Sequence, residues 1–204
     1  MLAVIDYGAG NLRSVLHALN YLRVENVRVV QHPHDLKGAK KIILPGVGAF
    51  GAGMEQLRKQ DLIEPIKAAV YAGTPCLGIC LGMQFLFDRS DEMGDYEGFG
   101  LIPGYVTRFP KMEGLKVPHM GWNVVRQCRN SVLMDGLSEG SYGYFVHSYY
   151  CVPEREDDVV AVADYGVSVT AIVQHDNVYG AQFHPEKSQK MGLQLYANFL
   201  KVGA

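Results

Sequence analysis

The stretch AAVYAGTPCLGICLGMQFLF, residues 68–87, carries no Asp, Glu, Lys or Arg. Its length and apolarity alone would allow a membrane span. However, Gly73-Thr74-Pro75 breaks it, and Gly78, Gly82 and Gln84 interrupt it further. The reading that satisfies these breakers is helix, turn, buried strand, turn, helix, with the strand at 76–79 and a new helix starting over 83–87. A short apolar strand set between helices is the unit of a parallel sheet covered on both faces.

The alternation extends toward the N-terminus. Residues 2–5 are a short apolar run that ends in Asp6-Tyr7-Gly8, and Leu12, Val15, Leu16, Leu19 and Leu22 follow at helical spacing. Strands are predicted at 27–30 and 41–44, the second ending in Pro45-Gly46-Val47-Gly48, and a helical stretch over 54–72 with a break near Pro65. Beyond residue 90 the pattern changes to strands at 105–109, 122–125, 143–150, 159–163, 169–174 and 178–183. His175-Asp176-Asn177 reads as the turn between the last two. A final helix spans 188–201, with Leu193, Tyr196, Ala197 and Leu200 on one face and Ser188 as its N-cap. The fold class is therefore α/β: an open, mainly parallel sheet flanked by helices, with antiparallel strands added in the C-terminal half. With no linker, repeat or low-complexity segment, a single domain over 1–204 is expected.

Of the 204 residues, 48% are hydrophobic and 20% charged, which fits a folded globular chain and excludes global disorder. A net charge of −2 gives no basic excess, so neither nucleic acid nor an anionic membrane surface is an expected partner. Cys76, Cys80, Cys128 and Cys151 are too few for a disulfide scaffold and fit no zinc spacing, so no metal is expected. The opening Met1-Leu2-Ala3-Val4-Ile5-Asp6 lacks the basic start of an export signal. Free thiols without that signal predict a reducing, cytoplasmic setting.

Three segments bear chemistry. Gly78-Ile79-Cys80-Leu81-Gly82, between a strand and a helix, is a nucleophile-elbow pattern with Cys in place of Ser. Small residues on both sides let the turn pack tightly, and the following helix aims its N-terminal amides at the sulfur, favouring the thiolate. The competing reading is a buried cysteine in a glycine-rich strand, which is the reading taken for Cys76. His184-Pro185-Glu186 stands at a strand end, where residues i and i+2 share a face, so an imidazole can have a carboxylate behind it. A loop His beside a solvated Glu would read the same in isolation. Pro45-Gly46-Val47-Gly48 follows a strand whose carboxyl end would lie beside the elbow, and its glycines let backbone N–H groups face a developing oxyanion. Asp6-Tyr7-Gly8-Ala9-Gly10-Asn11-Leu12-Arg13 lacks the third glycine of a dinucleotide fingerprint, so that site is rejected. His32 and His34, around Pro33, read as a polar loop.

Gly78-Ile79-Cys80-Leu81-Gly82-Met83-Gln84 together with His184-Pro185-Glu186 resembles the class I (triad) glutamine amidotransferases over essentially the full length. More narrowly, Asp6 to Ser14, Pro45-Gly46-Val47-Gly48-Ala49-Phe50, Met83 where many relatives carry His, and Pro118-His119-Met120-Gly121-Trp122-Asn123 look like the branch serving a cyclase of histidine biosynthesis. The anthranilate, aminodeoxychorismate and guanylate branches are the alternative. The resemblance implies that Cys80 attacks the glutamine side-chain amide, that His184 takes and returns the proton, and that Glu186 orients His184. It implies oxyanion donors at Val47 and Leu81. It implies substrate contacts at Gly46, Gly48, Gln84, Glu92, Ser148 and Tyr149, and no cofactor. It also implies a separate (β/α)8-barrel cyclase subunit, paired 1:1, that takes the ammonia. That partner would make imidazole glycerol phosphate and an aminoimidazole carboxamide ribonucleotide. Because a glutaminase running without its acceptor wastes glutamine, and Gly46 and Gly48 permit either peptide orientation of the loop at 45–48, allosteric activation by the partner is expected as well. Met120, Trp122, Tyr144 and Lys187 match its interface. A single Trp in a Gly-Trp-Asn turn suits an interface anchor, and a core Trp is the other reading.

Overall fold

The computed structural model describes residues 1–203. The first half runs β1 (Leu2–Ile5), α1 (Leu12–Tyr21), β2 (Val27–Val30), β3 (Lys41–Gly46), α2 (Phe50–Lys59), α3 (Ile63–Tyr71), β4 (Cys76–Cys80) and α4 (Leu81–Phe85). Short strands come next: β5 (Phe87–Ser90), β6 (Tyr96–Glu97), β7 (Ile102–Arg108), β8 (His119–Val124) and β9 (Arg126–Gln127). The chain closes with β10 (Tyr142–His147), β11 (Tyr149–Pro153), β12 (Val159–Asp164), β13 (Ser168–His175), β14 (Val178–Ala181) and α5 (Gln189–Lys201).

Eight strands form the main sheet in the order β2-β1-β3-β4-β14-β13-β12-β9. The first five are parallel, and β13, β12 and β9 extend the sheet antiparallel. This is the expected α/β class, with its antiparallel strands contributed by the C-terminal half.

The apolar runs explain why the sheet is covered twice. Along β1, Ala3 and Ile5 enter one core while Leu2 and Val4 enter the other, as the two-residue period of a strand requires. The first core is closed by α2 and α3 through Phe50, Met54, Leu57, Ile66 and Val70. The second is closed by α1 and α5 through Val15, Leu19, Leu195, Tyr196 and Phe199. Each such side chain, fully buried, stabilises by roughly 1.5–3 kcal/mol.

Four elements differ from their sequence readings. The helix expected over 54–72 is two helices, and the break comes at Asp61, which takes φ 53°, rather than at Pro65. Pro65 sits in the first turn of α3, where its missing N–H costs no helical bond. The helix expected from Met83 starts at Leu81 and stops after five residues. The Phe85 and Leu86 carbonyls there accept from Phe99, Leu101 and Ile102, which turns Phe87 into strand. The strand expected over 143–150 is broken at Ser148, whose carbonyl accepts from the Phe109 N–H at 3.2 Å. As a result β10 pairs with β8 in a two-stranded ribbon, while β11 joins the separate sheet β11-β7-β5-β6. Ser188 precedes α5 without capping it. Its hydroxyl donates to the His184 carbonyl at 2.7 Å and accepts from the Tyr144 N–H at 3.0 Å.

The start of α5 presses on the loop after β14, and a Cβ at Gly192 would overlap the Pro185 carbonyl. In an ordinary helix interior Gly→Ala stabilises by about 1 kcal/mol. Here the clash should win, and Gly192→Ala should lower the urea-unfolding free energy by about 1–3 kcal/mol. A stabilised variant would show that helix and loop are not in fixed contact.

Candidate active site

β4 ends at Cys80, which takes φ 53° and ψ −111°. A non-glycine residue at positive φ is uncommon, and here it turns the chain sharply from strand into α4. The flanking glycines are required. A Cβ at Gly82 would overlap the Leu44 carbonyl, and one at Gly78 would press on the Gly82 backbone. The elbow therefore fits only because both neighbours lack side chains. At five residues, α4 is too short for a full macrodipole, and no N–H of its first turn is hydrogen-bonded to the Cys80 side chain.

His184 follows β14, which lies beside β4 in the parallel sheet. Its backbone is fixed from two sides. Its N–H donates to the Tyr144 carbonyl at 2.9 Å, and its carbonyl accepts from the Ser188 hydroxyl. Its Nδ1 meets Glu186 Oε1 at 2.8 Å, with both side chains buried. The carboxylate accepts only, so Nδ1 carries a proton and Nε2 is free to work on the other side. Nε2 is buried with no hydrogen-bond partner. Burial alone would pull the ring's pKa down, but Cys80 and then Glu186 outweigh it and raise it to about 10. The contacts with Cys80 and Glu186 favour the protonated imidazole.

Cys80 and His184 line a pocket of about 320 Å³ with Val47, Gly48, Leu81, Gln84, Glu92, Pro118, Val146, His147, Ser148 and Tyr149. The break in the strand at Ser148 opens this space. Gln84 is buried, donating from Nε2 to the Tyr149 carbonyl at 3.0 Å and to Gln182 Oε1 at 3.2 Å. Glu92 has one oxygen on the Phe50 N–H at 2.7 Å, at the start of α2, and burial raises its pKa. Gly46 lies behind the pocket wall, where a Cβ would meet the Gly82 N–H, the Tyr7 hydroxyl and Leu81. Val47 and Gly48 are exposed at the mouth, Gly48 at φ 103°.

Met120 and Trp122 are 62% and 48% exposed on β8, so the core reading of Trp122 is set aside. Its ring stands edge-on to Tyr144 at 5.7 Å, and Lys187 Nζ lies 5.7 Å from the same Tyr144 ring. Trp122, Tyr144 and Lys187 are thus contiguous.

Three contributors escaped the sequence reading. Gln182 Nε2 donates to Cys80 Sγ at 3.8 Å. Its place two residues before His184, hence on the same strand face, was a usable signal. Asn11 Nδ2 donates to Glu186 Oε1 at 3.3 Å across 175 residues of chain, which no local pattern reveals. The buried Tyr7 hydroxyl lies close to the Val47 amide without a well-formed hydrogen bond. Burial, then the charges of Cys80 and Asp6, push its phenol pKa up.

A family model described as glutamine amidotransferase class-I matches residues 3–202. The chain is 49% identical over 201 residues to a protein of Desulfitobacterium hafniense named imidazole glycerol phosphate synthase subunit HisH, covering 98% of this chain and 94% of that one. A Geobacillus thermodenitrificans protein of the same name is 50% identical over 206 residues, with 99% and 96% covered. Among solved structures, one titled glutamine amidotransferase superposes with a TM-score of 0.76 at 20% identity, covering 97% of this chain and 96% of that one. PurLQS from Thermotoga maritima gives 0.75 at 21% identity, covering 98% and 96%. These two likenesses bear on the fold.

Cys80 and Glu186 are what hold the proton on His184, so removing either should lower the pKa of its ring. NMR titration of labelled histidine should place it well below the parent value in Cys80→Ser, and lower again in Cys80→Ser/Glu186→Gln. An unchanged titration in both variants would mean that sulfur and imidazole do not form a charge pair.

Proposed function

The chain belongs to the class-I glutamine amidotransferase family, and from that premise we infer that it is the glutaminase subunit of an imidazole glycerol phosphate synthase in histidine biosynthesis. It hydrolyses glutamine to glutamate and supplies the ammonia to a cyclase subunit. The observation that carries the reading is a cysteine held at positive φ in the same pocket as a histidine whose other nitrogen is bound by a buried carboxylate.

In the mechanism we propose, Cys80 Sγ attacks the side-chain carbonyl carbon of glutamine. The carbonyl oxygen takes the developing negative charge and faces the Leu81 N–H and an N–H of the loop at Val47. His184 holds the thiol proton and delivers it to the departing amide nitrogen, so the C–N bond breaks and ammonia leaves a cysteinyl thioester. Glu186 and Asn11 keep His184 in orientation. Water then attacks the thioester with His184 as base, releasing glutamate and regenerating the thiol. Gln84, Glu92, Ser148 and Tyr149 would hold the amino and carboxylate ends of the substrate.

The acceptor chemistry lies on the partner, for which we propose a (β/α)8 barrel in a 1:1 complex. Its products would be imidazole glycerol phosphate and an aminoimidazole carboxamide ribonucleotide. Trp122, Tyr144, Met120 and Lys187 form the face that we assign to docking, because exposed aromatic and apolar groups ringed by charge suit such a surface. We place the protein in the cytoplasm as a single-domain enzyme. Its four free cysteines fit a reducing compartment, and no helix among the described residues is long and apolar enough to cross a membrane.

Cys80→Ala in the complex should abolish glutamine-dependent synthesis and leave synthesis from added ammonia within about twofold of the parent. Equal loss with both nitrogen sources would point to failed assembly and remove Cys80 from the chemistry.

The loop 45–48 suggests regulation as well. Gly48 tolerates either peptide orientation, and losing one oxyanion donor costs on the order of 10²–10³ in rate. The free chain should therefore release glutamate slowly, the complex faster, and the complex with acceptor bound fastest. Steady-state glutamate release at equal rates in all three states would refute the switch.

A further inference from the structure

The two-stranded ribbon of β8 and β10 buries an ordered chain of polar groups that the mechanism above does not use. His119 and His147 sit opposite each other in its register, 2% and 6% exposed. His147 Nδ1 lies 2.8 Å from the Tyr149 carbonyl. A carbonyl only accepts, so Nδ1 carries the hydrogen and Nε2 of the neutral ring accepts. His119 Nδ1 stands 3.0 Å from that Nε2 and must donate. Its own Nε2 is left to accept, and Asn123 Nδ2 is 3.2 Å away. Asn123 cannot be turned round, because its Oδ1 accepts from the Val124 N–H at 2.8 Å while Nδ2 also donates to the Asp164 carbonyl at 2.8 Å. Every proton in the row is thereby assigned. Burial keeps both rings neutral, pulling His147 down to about 3 and His119 to about 4.

The row ends on a shared acceptor. The Tyr149 carbonyl receives both His147 Nδ1–H and Gln84 Nε2–H, which uses both of its lone pairs. Gln84 places its other N–H on Gln182 Oε1, so its Oε1 is the one amide atom that takes no hydrogen bond from the described residues. Gln84 and His147 both line the pocket. An acceptor without a partner, held at a fixed place in an amino-acid pocket, suits an ammonium group.

Stability alone does not require this row. The His119 ring is packed against Phe145 at 4.6 Å and Tyr165 at 4.0 Å, and the His147 ring lies 5.3 Å from Phe109, so the surroundings are aromatic enough to take an aromatic pair instead. A fully satisfied buried polar network rigidifies its surroundings and specifies one arrangement, which an apolar pair would not do. We propose that His147, backed by His119, is a positioning residue. It fixes the Tyr149 carbonyl, hence the Gln84 amide, so that Gln84 Oε1 selects substrates bearing an α-ammonium group. This rests on the glutaminase reading, in which Gln84 already belongs to the set that holds the substrate, and adds to it the two histidines that hold Gln84 in place.

The test compares glutamine with glutaramate, which has the same carboxamide and carboxylate but no amino group, in the complex with the cyclase. His147→Phe keeps ring volume and removes both hydrogen bonds. It should lower kcat/KM for glutamine about tenfold, mainly through KM, and leave that for glutaramate within about twofold. His147→Asn presents an N–H where Nδ1 was and should recover most of the discrimination. His119→Phe, which leaves His147 and Tyr149 in place, should lose about threefold, and it carries the test should His147→Phe fail to assemble. Alkylation of Cys80 by iodoacetamide should not change in any variant. Equal loss on both substrates, or no loss on either, would overturn the positioning role. A parent complex that releases no glutamate from glutamine would instead overturn the glutaminase reading.

Discussion

Cys80 stands at φ 53° and ψ −111°, which costs an L-residue on the order of 1–3 kcal/mol. The surroundings over-determine it. On one side β4 is hydrogen-bonded to β3, with Gly46 level with Cys80, and on the other to β14, with Ala181 level with Ile79. Ahead of it, Gly82 packs on the Leu44 carbonyl so closely that no side chain fits. The backbone cannot relax into α4 without unpairing two parallel strands in the middle of an eight-stranded sheet. The sheet holds the strain, and the strain presents the sulfur to the pocket.

The same sheet places the proposed base. β14 neighbours β4, so His184, three residues past the end of β14, emerges beside the elbow. It is held by more than the sheet. The Tyr144 backbone exchanges two contacts with this segment, donating to the Ser188 hydroxyl and accepting from the His184 N–H. A serine spent on this strap cannot cap α5, so the helix start gives up a contribution of about 1 kcal/mol to fix the position of the imidazole. The triad thus depends on β10 as well as on β4 and β14.

The sequence was legible wherever one element had one burial partner. Residues 2–5 and 76–79 read as strands and are strands, because their apolar side chains fill two cores by simple alternation; 27–30, at the sheet edge with Arg28 exposed, is also the strand expected. The elbow and the His-x-Glu pair were legible because each is local: glycine spacing in one case, strand period in the other. Reading failed where distant chain intervened. Nothing near Phe87 announces that the backbone of 99–102 will arrest α4, and nothing near Ser148 announces that Phe109 will split a strand there. Asn11 and the two ribbon histidines escaped for the same reason, since their partners lie 28 to 175 residues away, whereas Gln182, two residues before His184, had a local signal.

That pattern of failure has a structural consequence. Among the contacts invisible to local reading are those that tie the β8–β10 ribbon to the pocket. On its outer side the ribbon shows Met120 and Trp122, and on its inner side it holds His119 and His147. Alternation along β8 makes these neighbours in sequence opposite in direction. A partner docked as proposed, on Trp122, would therefore load the strand that carries His119, and through β10 the strap at Tyr144. The row of neutral imidazoles has a single proton arrangement, so it cannot absorb a displacement by exchanging donors and acceptors. It passes the displacement on to the Tyr149 carbonyl and Gln84 or breaks at a bond of 2.8–3.2 Å. A ribbon built this way is stiff between the face proposed for docking and the pocket, and the freedom that the proposed switch needs is left to the exposed residues 47–49, since Gly46 is buried at the end of β3.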